Sequence, residues 1–261
     1  MDLGLQNKTA LVLGGGGGLG GAIAKALARE GCKVAVADIA IEPAQATVKA
    51  IEAQGGTAMA IGWDISDLQI ADARVKTIED AYGPVSILVN NTGGPPPTPA
   101  SGQDAAVWAK QFQAMVLSVI TITDRVLPGM RDAGWGRIIT SVSSGVVAPI
   151  PNLGISNSLR SSLVGWSKTL AREVAGDGIT ANIVMPGRIA TGRVRSLDEQ
   201  KAKRESKSVD QIAAQSMASI PVGRYGEPDE YADCVAFLAS ARAGYVTGSI
   251  MRVDGGLIAS I

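Results

Sequence analysis

Five consecutive glycines, Gly14 to Gly18, followed by Leu19 and Gly20, are the first residues in this chain whose type and spacing point to chemistry. They stand between an apolar run, Thr9 to Leu13, and a segment in which Ile23, Leu27 and Glu30 keep helical spacing. Backbone without Cβ turns tightly and lets a pyrophosphate come close. The helix that follows presents free N–H groups and the positive end of its dipole to the phosphates. A glycine run alone also makes ordinary turns. Its place between a strand and a helix makes it a candidate dinucleotide cradle, with Gly14, Gly18, Leu19 and Gly20 as the contacts. Asp38 ends the next apolar run, 18 residues after Gly20. An acid near that distance accepts hydrogen bonds from the adenosine ribose hydroxyls and repels a 2′-phosphate. No Arg or Lys lies inside the glycine loop or directly after Asp38. The expected cofactor is therefore NAD rather than NADP. The bland alternatives for Asp38 are a helix cap or a solvated loop acid.

What the chain lacks excludes other chemistry. It has no histidine, which removes the commonest general base and metal ligand. Its two cysteines, Cys32 and Cys234, form neither a metal spacing nor a disulfide framework and read as small buried residues in a reducing compartment. With 24 basic and 24 acidic residues the net charge is zero, which argues against a nucleic-acid partner. Met1 to Leu5 carry no basic region or apolar run of a leader, and no apolar stretch reaches about 18 residues. The expectations are no metal, no membrane and a cytoplasmic location.

The elements that must position these residues follow from hydrophobic rhythm. Thr9 to Leu13, Lys33 to Ala37, Ala58 to Ile61, Ser86 to Val89, Arg137 to Val142 and Thr180 to Val184 are continuous apolar runs, as in parallel strands covered on both faces. Helix-period segments separate them, including long ones over about 104–130 and 154–176. This alternation predicts one α/β domain spanning 1–261, a doubly wound parallel sheet with helices on both faces. Gly93 to Pro99 must be a stiff non-helical loop. Ser196 to Ser219 is polar and reads as an inserted helical lid, with the insertion taken as about 188–222. The lid charges, among them Lys201, Lys203, Arg204, Glu205 and Lys207, read as a solvated helix face.

Over nearly its whole length the chain resembles the short-chain dehydrogenase/reductase family, most closely its 3-oxoacyl-carrier-protein reductase-like members. The family's TGxxxGxG loop corresponds to Leu13-Gly14-Gly15-Gly16-Gly17-Gly18-Leu19-Gly20, with Leu for Thr. Its adenine-contacting Asp corresponds to Asp64 in Trp63-Asp64-Ile65, and its NNAG motif to Asn90-Asn91-Thr92-Gly93, with Thr for Ala. Pro186-Gly187 with Arg188-Ile189-Ala190-Thr191, Thr247-Gly248, and Val253-Asp254-Gly255-Gly256 also match. The resemblance implies a seven-stranded Rossmann-type sheet and a homotetramer. It adds Asp64, Ile65, Asn91, Gly93, Pro186, Gly187, Ile189 and Thr191 to the cofactor contacts.

The family's catalytic residues carry over only in part. Its Ser falls on Ser143, its Tyr on Ser156, its Lys on Arg160 and its Asn on Met115. An aliphatic hydroxyl is a far weaker acid than a phenol, and an arginine stays protonated. Arg160 is expected to donate hydrogen bonds to the cofactor ribose or to a developing oxyanion, or else to pair with a nearby acid. Ser143 and Ser156 have bland readings as a strand-end hydroxyl and a space filler. Arg188 follows Pro-Gly and could take an acidic group of a small-molecule substrate or form a salt bridge. Three functions stay open: an NAD-dependent oxidoreductase of carbonyls or secondary alcohols with an altered proton route, an NAD-binding protein without turnover, and a lyase or isomerase reusing the pocket.

Overall fold

Continuous apolar strands need cover on both faces, and the sheet is built that way. The computed structural model describes every residue from Met1 to Ile261. Its strands are β1 (Thr9–Leu13), β2 (Lys33–Asp38), β3 (Thr57–Gly62), β4 (Ile87–Asn90), β5 (Gly136–Ser141), β6 (Ile179–Pro186) and β7 (Ile250–Val253). All pair in parallel, in the order β3-β2-β1-β4-β5-β6-β7. The helices are α1 (Gly18–Arg29), α2 (Ile41–Glu52), α3 (Ala71–Tyr82), α4 (Ala105–Phe112), α5 (Ser118–Asp132), α6 (Gly154–Val174), α7 (Gly192–Glu205), α8 (Val209–Ala218) and α9 (Pro228–Ala239). Alternation along each strand sorts the core into two layers. Ala10, Val12, Val34 and Val36 face α1, α2 and α9, whereas Leu11, Leu13, Ala35 and Ala37 face α3, α5 and α6. Strand order reverses between β1 and β4, so a crevice opens at their carboxyl ends.

Four expectations are refined. Each of the six sequence-read strands exists, the first with the bounds expected and the others with ends displaced by at most two residues. The long central helix is continuous over Ala105–Asp132 but loosens into a π-helical segment at Gln113–Leu117, between α4 and α5. This helix contains an 18-residue window of mean hydropathy 1.3, so by length and composition it passes as a membrane span, contrary to the reading that no stretch does. Within the fold it packs its inner side against α3, α6 and the sheet. The segment expected as a lid is two helices, because Ser206 adopts a left-handed conformation (φ 52°) and stops α7 before Ser208 caps α8.

Candidate functional site

The turn between β1 and α1 rests on two left-handed glycines, Gly14 (φ 59°) and Gly18 (φ 53°). Gly20 packs so tightly beneath it that a Cβ would collide with the Gly14 carbonyl oxygen. A side chain at Gly16 would sit 2.7 Å from Asp38 Oδ2. The Gly16 N–H instead donates to that oxygen at 2.9 Å, and the Ala40 N–H donates to Asp38 Oδ1 at 3.4 Å. Asp38, at the end of β2, therefore braces the loop and keeps lone pairs for a further donor. Asn91 Nδ2 braces the other side through the carbonyls of Leu13 and Gly14, both at 3.3 Å. The first turn of α1 has no acid and no side-chain cap, so its N–H groups are unspent. A backbone cradle in which a Cβ at Gly14, Gly15, Gly16 or Gly20 would clash, an open helix N-terminus and an acceptor at the β2 end fit a dinucleotide.

The remaining cofactor candidates surround this cradle. The Trp63 N–H donates to the Asp38 carbonyl at 2.8 Å, which sets Asp64 and Ile65 beside the β2 end. Asp64 is exposed and accepts from the N–H and hydroxyl of Ser66. Gly187 follows Pro186 where only glycine fits, since a Cβ would lie 2.6 Å from Asp254 Cα. Ile189 is buried, and Thr191 caps α7 by accepting from the Val194 N–H. Thr191 Cβ lies 3.8 Å from where a Gly18 side chain would begin, so the loop after β6 reaches the glycine turn.

Ser143 lies two residues beyond β5 as the cap of a short 3-10 turn, its Oγ accepting from the Gly145 N–H at 3.1 Å. That is the strand-end hydroxyl reading, and it leaves the hydroxyl proton free to donate. Ser156 is buried in the first turns of α6 and makes no side-chain hydrogen bond. Met115 lies in the π-helical segment and is only 2% exposed, filling the apolar space between Val142, Ile155 and Leu159.

Arg160 is buried on α6. Its Nη1 donates to the Ser141 carbonyl (3.2 Å) and its Nη2 to those of Thr92 (3.0 Å) and Gly93 (3.1 Å). Three of its five N–H groups thus tie the β5 end to the loop after β4, and Nε–H and one Nη1–H remain. No carboxylate pairs with it. Burial pushes its pKa down to about 10, with the neighbouring Arg193 charge adding to the shift, so at neutral pH it is a cation and donor.

Arg188 needs correction as the binder of an acidic substrate group. It pairs with Asp198 of α7, which is 2% exposed, and lies over the Tyr225 ring, whose hydroxyl donates to the same carboxylate at 2.7 Å. Its charge is neutralised inside the fold. Sequence reasoning missed Arg193, on the first turn of α7, whose Nη2 donates to the Pro95 carbonyl at 2.8 Å. No phenol stands in for the missing one. Tyr225 is committed to Asp198, and Tyr231 is fully buried on the opposite face, bonded to Ser141 Oγ and the Val184 carbonyl.

The family model described as Enoyl-(Acyl carrier protein) reductase matches residues 15–258. The chain is 37% identical to Nodulation protein G of Azospirillum brasilense, over 97% of this chain and 99% of that protein. It is 35% identical to the 3-oxoacyl-[acyl-carrier-protein] reductase FabG of Vibrio cholerae, over 97% and 98%. Among solved structures, L-sorbose reductase from Gluconobacter frateurii, complexed with NADPH and L-sorbose, superposes with a TM-score of 0.94 at 28% identity over the whole of both chains.

Proposed function

The chain belongs to the short-chain dehydrogenase/reductase family, and from that premise we propose that it is an NAD-dependent oxidoreductase of a small carbonyl or secondary alcohol, assembled as a homotetramer, in which water takes the place of the family's proton-donating tyrosine. The observation that carries this reading is the glycine cradle braced by Asp38. Gly14, Gly18, Leu19, Gly20, Asn91, Gly93, Pro186, Gly187, Ile189 and Thr191 line the place for the pyrophosphate and nicotinamide half. Asp38, Asp64 and Ile65 line that for the adenosine.

When bound, the nicotinamide supplies or accepts the hydride. The chain's residues handle the oxygen of the reacting group. Ser143 keeps its proton free and donates it as a hydrogen bond to that oxygen. Arg160 stays charged and turns its positive field on the crevice while holding the β4 and β5 ends in register. It cannot relay a proton, because its pKa of about 10 leaves almost no neutral form at pH 7. Ser156 is too short and too weak an acid to replace a phenol. The proton therefore comes from water, and the lost general acid lowers the rate by about 10²–10⁴ against a complete centre.

Asp38 is the selectivity device. A 2′-phosphate would meet a carboxylate with no cation beside it, so NAD should bind at least about 10-fold tighter than NADP, roughly 1.4 kcal/mol. Calorimetric titration of both cofactors tests this, and equal or tighter NADP binding would overturn it. The L-sorbose reductase neighbour was solved with NADPH, so the preference for NAD in this chain rests on Asp38 alone.

A further inference from the structure

Two guanidiniums meet beside Gly94 with no acid to neutralise them. A side chain at Gly94 would begin 3.4 Å from Arg193 Nη2 and 3.8 Å from Arg160 Nη2. Arg160 comes from α6 and Arg193 from α7, and each holds a neighbouring stretch of the Thr92 to Pro95 loop by its carbonyls. Several other arginines are matched by acids inside the fold, while buried Arg137 spends its N–H groups on the carbonyls of Gly136, Gly178 and Ser240 and meets no second guanidinium. Arg188 has Asp198, Arg125 has Asp72 and Glu79, and Arg224 has Glu230. Arg160 and Arg193 have no carboxylate partner, although Arg160 is only 8% exposed. Like charges brought together and partly desolvated are unfavourable unless an anion joins them. Gly93 and Gly94 are exposed, so the point where the two cations converge opens to the crevice. Arg193 retains four unspent N–H groups, enough for a planar carboxylate, while the Arg160 Nη2 that faces it is spent on the Thr92 and Gly93 carbonyls and adds its positive charge.

We propose that the Arg160–Arg193 pair is a receptor for the carboxylate of the substrate, and that the substrates are small oxo or hydroxy acids with the reacting carbon close to that carboxylate. The inference rests on the oxidoreductase reading of the same crevice. The short distance follows from the chain path: Arg160 is bonded to the Ser141 carbonyl, two residues before Ser143. Arg188, which stands first after Pro-Gly in the sequence, is not the receptor because Asp198 already occupies it. Arg193 is exposed on the first turn of α7, so its free N–H groups are open to the acid.

The competing source of the anion is the cofactor's own pyrophosphate, since Thr191, two residues before Arg193, reaches the glycine turn. The experiment separates the two. NAD⁺ affinity is first titrated for wild type, Arg193→Ala and Arg193→Lys. The NAD⁺-saturated proteins are then titrated calorimetrically with pyruvate, 2-oxobutyrate, acetoacetate and phenylpyruvate, each beside its methyl ester. With the oxidised cofactor these ketones cannot be reduced, so binding alone is read. The expected result is at least one acid binding wild type tenfold or more tighter than its ester. Arg193→Ala should abolish that ratio and Arg193→Lys keep part of it, while NAD⁺ affinity stays within threefold. Four acids that bind no better than their esters would overturn the proposal, as would an unchanged ratio in Arg193→Ala. A tenfold loss of NAD⁺ affinity in Arg193→Ala, with the ratio retained, would assign the cation to the cofactor instead. A wild-type chain that binds neither NAD⁺ nor NADP⁺ would remove the oxidoreductase reading itself, and the first titration reports that separately.

Discussion

Arg160 gives one position a structural task beside the chemical one proposed for it. A lysine at this place offers a single point charge, whereas the guanidinium spreads three N–H groups over the carbonyls of Ser141, Thr92 and Gly93. Truncation to Ala would leave those acceptors without a donor in a buried site. Each orphaned group costs about 1–3 kcal/mol, so Arg160→Ala should lose at least about 2 kcal/mol in urea unfolding, and Arg160→Lys less. Retention of wild-type stability by Arg160→Ala would show that the loop finds other partners. The two serines separate by function. Ser143→Ala removes the hydroxyl proposed to donate to the reacting oxygen and should cut turnover by at least tenfold with little change in NAD affinity. Ser156 has no partner to lose, so Ser156→Ala should change either quantity by less than about threefold; a larger effect in steady-state kinetics would restore it to the centre. The identities of Ser143, Ser156, Arg160 and Met115 were legible by alignment to the family's spacing. Their partners were not, because the partners of Arg160 are backbone carbonyls as far as 68 residues away and backbone leaves no mark in a sequence. Arg193 was invisible for the same reason: it is a lone arginine whose contact, Pro95, stands 98 residues earlier.

At the scale of elements, the continuous apolar strands were the most readable part of the chain, since burial on both faces demands such runs. β7 has no such signature. It is four residues long and alternates between exposed and half-buried at the sheet edge, so only the resemblance around Val253-Asp254-Gly255-Gly256 foretold it. The split of the lid was equally hidden, because Ser206 is a residue that seldom takes the left-handed form. The lid is nevertheless fastened at one definable point. Asp198 of α7 accepts from Arg188 after β6 and from Tyr225 before α9, and so joins three segments through one buried carboxylate. Asp198→Ala would strand Arg188, whose Nε already lacks a partner. Removing one partner of a fully buried pair costs about 3–5 kcal/mol. Because the Arg188 side chain is 26% exposed, about 1–3 kcal/mol is expected here. Hydrogen exchange should locate the effect, with α7 and α8 losing protection while β1 to β6 keep theirs. Uniform loss across the sheet would mean that the latch supports the whole domain rather than the lid.

For the molecule as a whole, the outer side of the central helix is apolar surface that the single chain leaves uncovered. The helix Ala105–Asp132 is apolar enough to pass as a membrane span, yet only 28% of its most apolar window is buried. Val107 and Phe112 stand 40% and 42% exposed on α4. Large apolar side chains held in water favour burial, at about 25 cal/mol for each Å² covered. In the proposed assembly a second copy would supply the covering surface at no cost in new sequence: a two-fold axis beside this helix would let the same side of each chain meet the other. The tail from Leu257 to Ile261 offers a second contact, with Ile261 fully exposed at the end beyond the edge strand β7. Two such interfaces on different sides give four chains related by two-fold axes. Light scattering at micromolar concentration should therefore report four times the mass of one chain, and a monomer would refute the assembly. The two interfaces can be told apart with one change on the helix. Phe112 is exposed, so Phe112→Glu leaves the fold intact while placing a charge, and its symmetry mate, in the helix contact. The expected product is a dimer with unchanged NAD affinity, since Gly14 to Gly20 and Asp38 lie wholly within one chain. A Phe112→Glu protein that remains tetrameric would place the interface away from the central helix and leave its apolar side to some other cover.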